Sequence, residues 1–203
     1  MKQWQKRPPG YELFFAPLQI AFDPTIYERV QFAYLISKYG HSGVQREDGT
    51  RYFDHPKAAA WIYISEFNGR DPEVIINILL HDLPEDTYLL SPYRTAMNFG
   101  TERAEDLRAL TKLPKGKETT EEYLGRVIAR GPRAVFAKLA DRLHNLRTMS
   151  ACSAEKRATQ IEETTMYHIP LLITALKDAG GTWAEYAVLM EEKIREAIAS
   201  YAT

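Results

Sequence analysis

At 203 residues the chain is long enough for one domain with a full core and short for two. Its 45% apolar and 26% charged content is that of an ordinary soluble globular protein, and no apolar run approaches the ~18–20 residues that cross a bilayer. One cysteine, Cys152, excludes an internal disulfide and a sulfur-rich structural zinc site, and fits a reducing cytoplasm.

The net charge of −1 conceals an asymmetry: from Arg103 to Arg157 there are 13 Lys/Arg against 7 Asp/Glu. Such a basic segment suits either a polyphosphate ligand or a solvated helical surface. No arginine-rich run or zinc-finger spacing points to nucleic acid. The start, MKQWQKRPPGYELFF, lacks the apolar stretch of a signal peptide.

In chain order, the first 22 residues, with Pro8-Pro9-Gly10 and several aromatics, read as an extended arm over the core or a partner. Asp23-Pro24, Asp71-Pro72 and Ser91-Pro92 each set a capping oxygen before a proline at the first helical position. The spacing predicts helices over 24–40, 55–68, 72–83 and 92–98, the last closed by Gly100. Further helices are predicted over 102–112, 119–130, 133–149, 154–168, 170–179 and 183–201. In 133–149, Val135, Phe136, Leu139, Ala140, Leu143 and Leu146 recur at three- and four-residue spacing and make one apolar stripe. Ile75, Ile78 and Leu79 do the same just before His81. Strand alternation is absent, apart from a short hairpin expected over 48–54 around Asp48-Gly49. The expectation is a single all-α domain over 1–203, with an arm (1–22), a core (23–180) and a C-terminal helix (181–203). In that last helix Trp183, Tyr186, Ala187, Met190 and Ile194 suit packing on this core or on another subunit of a homo-oligomer.

Four residues carry metal-binding chemistry: His55 in YFDHP, the pair His81-Asp82 in LLHDLPEDT, and Asp141 in KLADRLHNLRT. Two imidazoles and two carboxylates suit Mn²⁺, Fe²⁺ or Zn²⁺ with positions left for water and substrate. A buried His-Asp ion pair without a cation would be costly. Asp54, beside His55, reads as an N-cap. Glu85 and Asp86 lie four residues beyond His81 and Asp82, so helical geometry sets all four on adjoining faces. Paired carboxylates there suit water activation, or else a solvated acidic helix end. Pro84 between the pairs predicts a kinked or terminated helix. Asp141 and Asn145, one turn apart, can serve a cation and a substrate respectively, with Arg142, Arg147 and Thr148 nearby.

These segments together resemble the HD-domain superfamily, and more narrowly the hydrolase domain of RelA/SpoT-homologue enzymes that degrade the alarmone (p)ppGpp. The resemblance covers roughly residues 28–172. It rests on HSGVQREDGTRYFDHP (41–56), LLHDLPEDT (79–87), FG…LTKL (99–113), KLADRLHNLRT (138–148) and, more loosely, EKRATQIEETTMYHIPL (155–171). It implies an HD-type bundle of about eight to ten helices, like the small stand-alone alarmone hydrolases. It assigns His55, His81, Asp82 and Asp141 to a manganese ion, and Glu85 and Asp86 to catalysis outside the metal's ligand set. It matches Arg46 to an arginine that stacks on guanine, and Asn145 and Thr148 to substrate contacts. Arg142, Tyr167 and His168 join the substrate set, His168 standing where the family has a tyrosine. His144 is left as a packed or hydrogen-bonding structural histidine. Glu47 replaces a lysine and Arg51 a proline at the base pocket, which opens an adenine alarmone as well as a guanine one.

The expected function is removal of the 3′-pyrophosphate from (p)ppGpp or a related purine alarmone, with Mn²⁺ as cofactor and a small nucleotide, not nucleic acid or membrane, as partner. Two alternatives stand beside it: a general HD phosphohydrolase acting on NADPH or nucleotide monophosphates, and a non-catalytic nucleotide-binding regulator.

Overall fold

The computed structural model describes residues 8–86 and 90–201, the side chain of Asp86 excepted. Helix α1 spans Tyr11–Ala21, so the expected extended arm is, over these residues, a helix. Phe14, Phe15 and Leu18 share one face and are buried, and the Phe14 and Phe15 rings meet Tyr34 at 5.2 Å each. Prolines 8, 9 and 17 mask this short apolar face in the sequence, and aromatic burial overrides them.

α2 (Pro24–Gly40), α4 (Pro72–Leu80) and α6 (Pro92–Phe99) begin as the sequence predicts. The Asp23, Asp71 and Ser91 side chains accept the N–H of Ile26, Glu73 and Arg94. Gly100, at φ 90°, turns the chain from α6 into α7 (Thr101–Leu110), a conformation side chains resist. α3 (Asp54–Trp61) runs on into a wide π-helical turn over Ile62–Glu66. Gly69 follows, where a β-carbon would lie 2.2 Å from the Tyr63 ring.

α4 ends at Leu80, and α5 (Leu83–Asp86) is a separate helical turn. Pro84 accounts for the break: in a continuous helix its ring would strike the carbonyl of Leu80. α8 (Thr120–Ala129) starts with a reciprocal capping box between Thr119 and Glu122. α9 (Pro132–Thr148) carries the predicted stripe, with Val135, Phe136, Leu139, Ala140, Leu143 and Leu146 all buried. It lies centrally, packed by α3, α4, α8 and the last helix.

Three expectations need correction. The predicted helices 154–168 and 170–179 are one helical run. α10 (Ala154–Glu163) passes through a π-helical stretch, Thr164–Ile173, into α11 (Thr174–Asp178). Pro170 sits inside that stretch, where the wider turn accommodates a residue with no N–H to donate. The 48–54 hairpin reduces to an isolated bridge, Gln45 with Arg51, closed by a turn at Asp48-Gly49. Asp54 does not cap α3; its carboxylate pairs with Lys57 and Arg51, each at 3.0 Å.

α12 (Gly181–Ala199) packs on its own chain rather than waiting for a second copy. Ala187, Met190, Ile194 and Ala197 are buried, and the Tyr186 ring meets Phe67 at 5.4 Å and Phe136 at 5.5 Å. The architecture is the expected all-α bundle. Among the described residues no helix is long and apolar enough to cross a membrane.

Candidate metal centre and substrate cavity

The centre forms where three elements meet: the start of α3, the turn after α4, and the middle of α9. The wholly buried run Val74–Leu80 fixes α4, and its end delivers His81 into the interior. His81 Nδ1 donates to the Ile78 carbonyl at 2.8 Å, which turns the Nε2 lone pair toward the centre. His55, in the first turn of α3, makes the corresponding arrangement with a side chain: its Nδ1 lies 2.7 Å from His144 Nδ1.

The remaining atoms converge. His81 Nε2 lies 3.0 Å from Asp82 Oδ1 and 3.6 Å from Asp141 Oδ1. His55 Nε2 lies 3.1 Å from Asp141 Oδ1 and 3.6 Å from Asp82 Oδ2. His55, His81 and Asp82 alone already form a metal-sized group, with their ligand atoms within 4.8 Å of one another. Asp141 belongs with them on its distances to both imidazoles.

The donor set fits a divalent cation. His81 Nε2 is buried yet makes no hydrogen bond of acceptable geometry, the condition of a lone pair meant for something other than protein. Two nitrogens and two carboxylate oxygens are the mixture that borderline divalent ions take.

Electrostatics agree. Burial alone would lower His81, but the Asp82 and Asp141 carboxylates override it and push its pKa up to about 9. Burial raises a carboxyl, yet Lys138 and the two histidines hold Asp141 well below the ordinary carboxylate range. Burial pushes His55 and His144 down, so both stay neutral. A neutral His144 can accept the His55 Nδ1 proton, which leaves the His55 lone pair on Nε2.

Around the centre lies a cavity of about 430 Å³. Its lining includes Arg46, Glu85, Asn145 and Thr148 as well as the four centre residues. Asn145 Nδ2 donates to Asp141 Oδ1 at 2.6 Å and its Oδ1 accepts from Arg46 Nη2 at 2.9 Å. Thr148 Oγ1 donates back to the His144 carbonyl at 2.9 Å. Glu85 reaches the wall despite the helix break, and its Oε1 accepts the Lys112 backbone N–H at 2.6 Å. Burial raises the Glu85 carboxyl, and the Asp82 charge adds to the effect. The side chain of Asp86 lies outside the described residues.

Arg142, Tyr167 and His168 do not line this cavity. Arg142 and His168 are buried and bind one another, Arg142 Nε lying 3.2 Å from His168 Nε2. Arg142 also holds Glu163 at 2.7 Å and the carboxamide oxygen of Gln160. Tyr167 packs half-buried against the core. Arg142, with His168 bound to it, thus supports the wall from behind through Gln160.

Sequence reasoning passed over two groups that touch the centre. Tyr52 donates its hydroxyl to Asp82 Oδ2 at 3.0 Å. Lys138, buried within α9, holds Asp141 Oδ2 at 2.8 Å. A lysine three residues before Asp141 inside an apolar-striped helix was the available signal for the second; Tyr52 gave none.

A model of the HD-domain family matches residues 33–171. The chain belongs to the HD-domain family. It is 34% identical over 152 residues to the bifunctional (p)ppGpp synthase/hydrolase SpoT of Escherichia coli, covering 71% of this chain and 21% of that protein. It is 33% identical over 175 residues to the guanosine-3′,5′-bis(diphosphate) 3′-pyrophosphohydrolase of Aquifex aeolicus, covering 81% and 25%. A GTP pyrophosphokinase of Streptomyces coelicolor is 35% identical over 150 residues, covering 70% and 17%. The chain thus spans about a fifth of the length of such relatives. Among solved structures it is similar to a metazoan ortholog of SpoT that hydrolyzes ppGpp. The TM-score is 0.61 and the identity 24%, over 86% of this chain and 96% of that one. The likeness establishes a shared HD-type helical fold.

Proposed function

We propose that the protein is a manganese-dependent hydrolase that removes the 3′-pyrophosphate from (p)ppGpp or a closely related purine alarmone. The observation that carries this reading is the convergence of His55, His81, Asp82 and Asp141 in a cavity whose wall also presents Glu85. The names of the relatives over the same segment support the substrate class.

The four residues would hold the cation, which supplies Lewis acidity toward phosphate oxygens and makes a water more acidic. Glu85 accepts the proton of the attacking water. Its raised carboxyl pKa makes it a stronger base than an ordinary carboxylate. The water oxygen bonds to the phosphorus carried by O3′ as the P–O3′ bond breaks. The bonding pair stays on O3′, which takes up a proton, and pyrophosphate is released with GDP or GTP. Lys138, Tyr52 and Asn145 hold the carboxylates of Asp141 and Asp82 in place. Arg46, with Nη1 buried and unpartnered at the cavity wall, donates to the nucleotide.

The test is a manganese-supplemented screen of guanosine and adenosine nucleotides bearing a 3′-diphosphate, with products resolved by chromatography. Pyrophosphate together with the 5′-nucleotide is the expected result. Orthophosphate as the product would replace this reading with a general phosphohydrolase, and binding without turnover would replace it with a regulator.

A further inference from the structure

Both carboxylate oxygens of Asp141, a residue of the cavity lining, have polar partners. Its Oδ1 faces Asn145, which leads to Arg46; its Oδ2 faces Lys138. On the Lys138 side stands a second lysine, Lys112, which also lines the cavity. Both ammonium groups lie 5.3 Å from the centroid of the Tyr123 ring, so two like charges share one small region. Holding them there is unfavourable unless a negative charge lies between or beside them.

The protein supplies less than one carboxylate for Lys112. Its ion-pair neighbour is Glu163 at 3.6 Å, and Glu163 is already bound by Arg142 at 2.7 Å. One carboxylate therefore serves two cations, Lys112 and Arg142. The same Arg142 fixes Gln160, a cavity residue, through its carboxamide oxygen, so the polar group Gln160 has left is its NH₂ donor. A third link ties this wall to the chemistry: the backbone N–H of Lys112 binds Glu85 Oε1 at 2.6 Å.

We propose that Lys112 and Gln160, backed by Lys138, bind the outer phosphate of the substrate's 3′-diphosphate, on the side of the metal centre away from Arg46. The ligand class is a diphosphate ester, and the product held there is inorganic pyrophosphate. This deepens the hydrolase reading above and rests on it. It gives Arg142 and His168 a positioning role: His168 and Arg142 hold Glu163 and Gln160, which set the wall that Lys112 completes. It also gives a reason to prefer a diphosphate over a monophosphate, because a 3′-monophosphate at the centre would leave Lys112 with only its share of Glu163.

The experiment uses the manganese-loaded protein freed of excess metal, as wild type, Lys112→Met and Lys112→Arg. Pyrophosphate and GDP are titrated separately by calorimetry, and bound manganese is measured after each run. Lys112→Met should weaken pyrophosphate about ten-fold, the scale of one charge-assisted contact, with GDP affinity and manganese content unchanged. Lys112→Arg should restore most of the loss, since it keeps the charge. Unchanged pyrophosphate affinity in Lys112→Met, or an equal loss for GDP, would overturn the subsite. Turnover of 3′-diphosphates by the wild type is read in a separate assay. Its absence would refute the hydrolase reading, while the binding measurement stands without turnover.

Discussion

Replacing Tyr52 with phenylalanine removes one oxygen atom and tests what orientation of Asp82 is worth. The Tyr52 hydroxyl donates to Asp82 Oδ2 at 3.0 Å. The ring itself is held elsewhere, stacked on His41 at 4.7 Å with 22° between planes and edge-on to His55 at 6.2 Å. A phenylalanine ring keeps those contacts, while the bond to the Asp82 carboxylate is lost.

A hydrogen bond to an ionised group contributes about 1.5–3 kcal/mol. Groups that orient metal ligands change metal affinity by about 10–100-fold, which is about 1.4–2.7 kcal/mol. The two scales agree, so Tyr52→Phe should weaken Mn²⁺ binding by one to two orders of magnitude. Turnover at saturating metal should fall far less, because the set of ligands is intact. Chelator competition at fixed pH measures the first and steady-state kinetics in excess Mn²⁺ the second. Wild-type metal affinity in this variant would mean that Asp82 is aimed by its backbone alone, and the assigned orienting role would be wrong.

Glu85→Gln should retain the cation yet lose about 10²–10⁴-fold in turnover, because an amide cannot accept the water's proton. Near wild-type turnover would remove Glu85 as the base, and Asp86→Asn measured alongside decides whether its neighbour takes the role. Metal loading should depend on pH with a definite sign. Below its raised pKa of about 9, His81 carries a proton that a cation must displace, so Mn²⁺ affinity should rise from about pH 7 to about pH 9 and level off above. A flat profile across that window removes His81 from the ligand set. Ile78→Ala empties a fully buried position one turn before His81 and should cost about 2–5 kcal/mol in chemical denaturation. A loss below about 1 kcal/mol would show that α4 can collapse around the gap, a looser packing than its burial implies.

Much of the fold was legible because its signals are local. Each Asp-Pro or Ser-Pro cap marks a helix start by its own chemistry, and the α9 stripe follows from period alone. The π-helical stretch around Pro170 was not legible, because a proline argues for a break unless surrounding packing favours a wider turn. α1 was missed for the converse reason: its helix is fixed by burial of Phe14 and Phe15 against Tyr34, a contact between residues far apart in the chain. The four converging centre residues could be read from residue type. Arg142 and His168 could not be placed, since a charged residue in a motif looks the same whether it faces the substrate or supports what does. Only the buried contact of Arg142 with His168, Gln160 and Glu163 separates the two.

The arrangement on α9 explains why so many functional groups sit in one motif. Lys138, Asp141, Asn145 and Thr148 are spaced by three, four and three residues and all line the cavity. That is the same period that puts Val135, Leu139, Leu143 and Leu146 in the core. One helix therefore carries two faces at once, an apolar one that fixes its rotation and a polar one that uses it. Because apolar burial sets the rotation, the four polar groups are aimed together, with no loop to position each. The turn at His81-Asp82 complements this: there Pro84 ends the helix, and the chain is free to bring these two side chains to Asp141 at an angle a continuous helix would not allow. A rigid helix on one side and a broken one on the other are what let residues 60 positions apart, His81 and Asp141, approach to 3.6 Å.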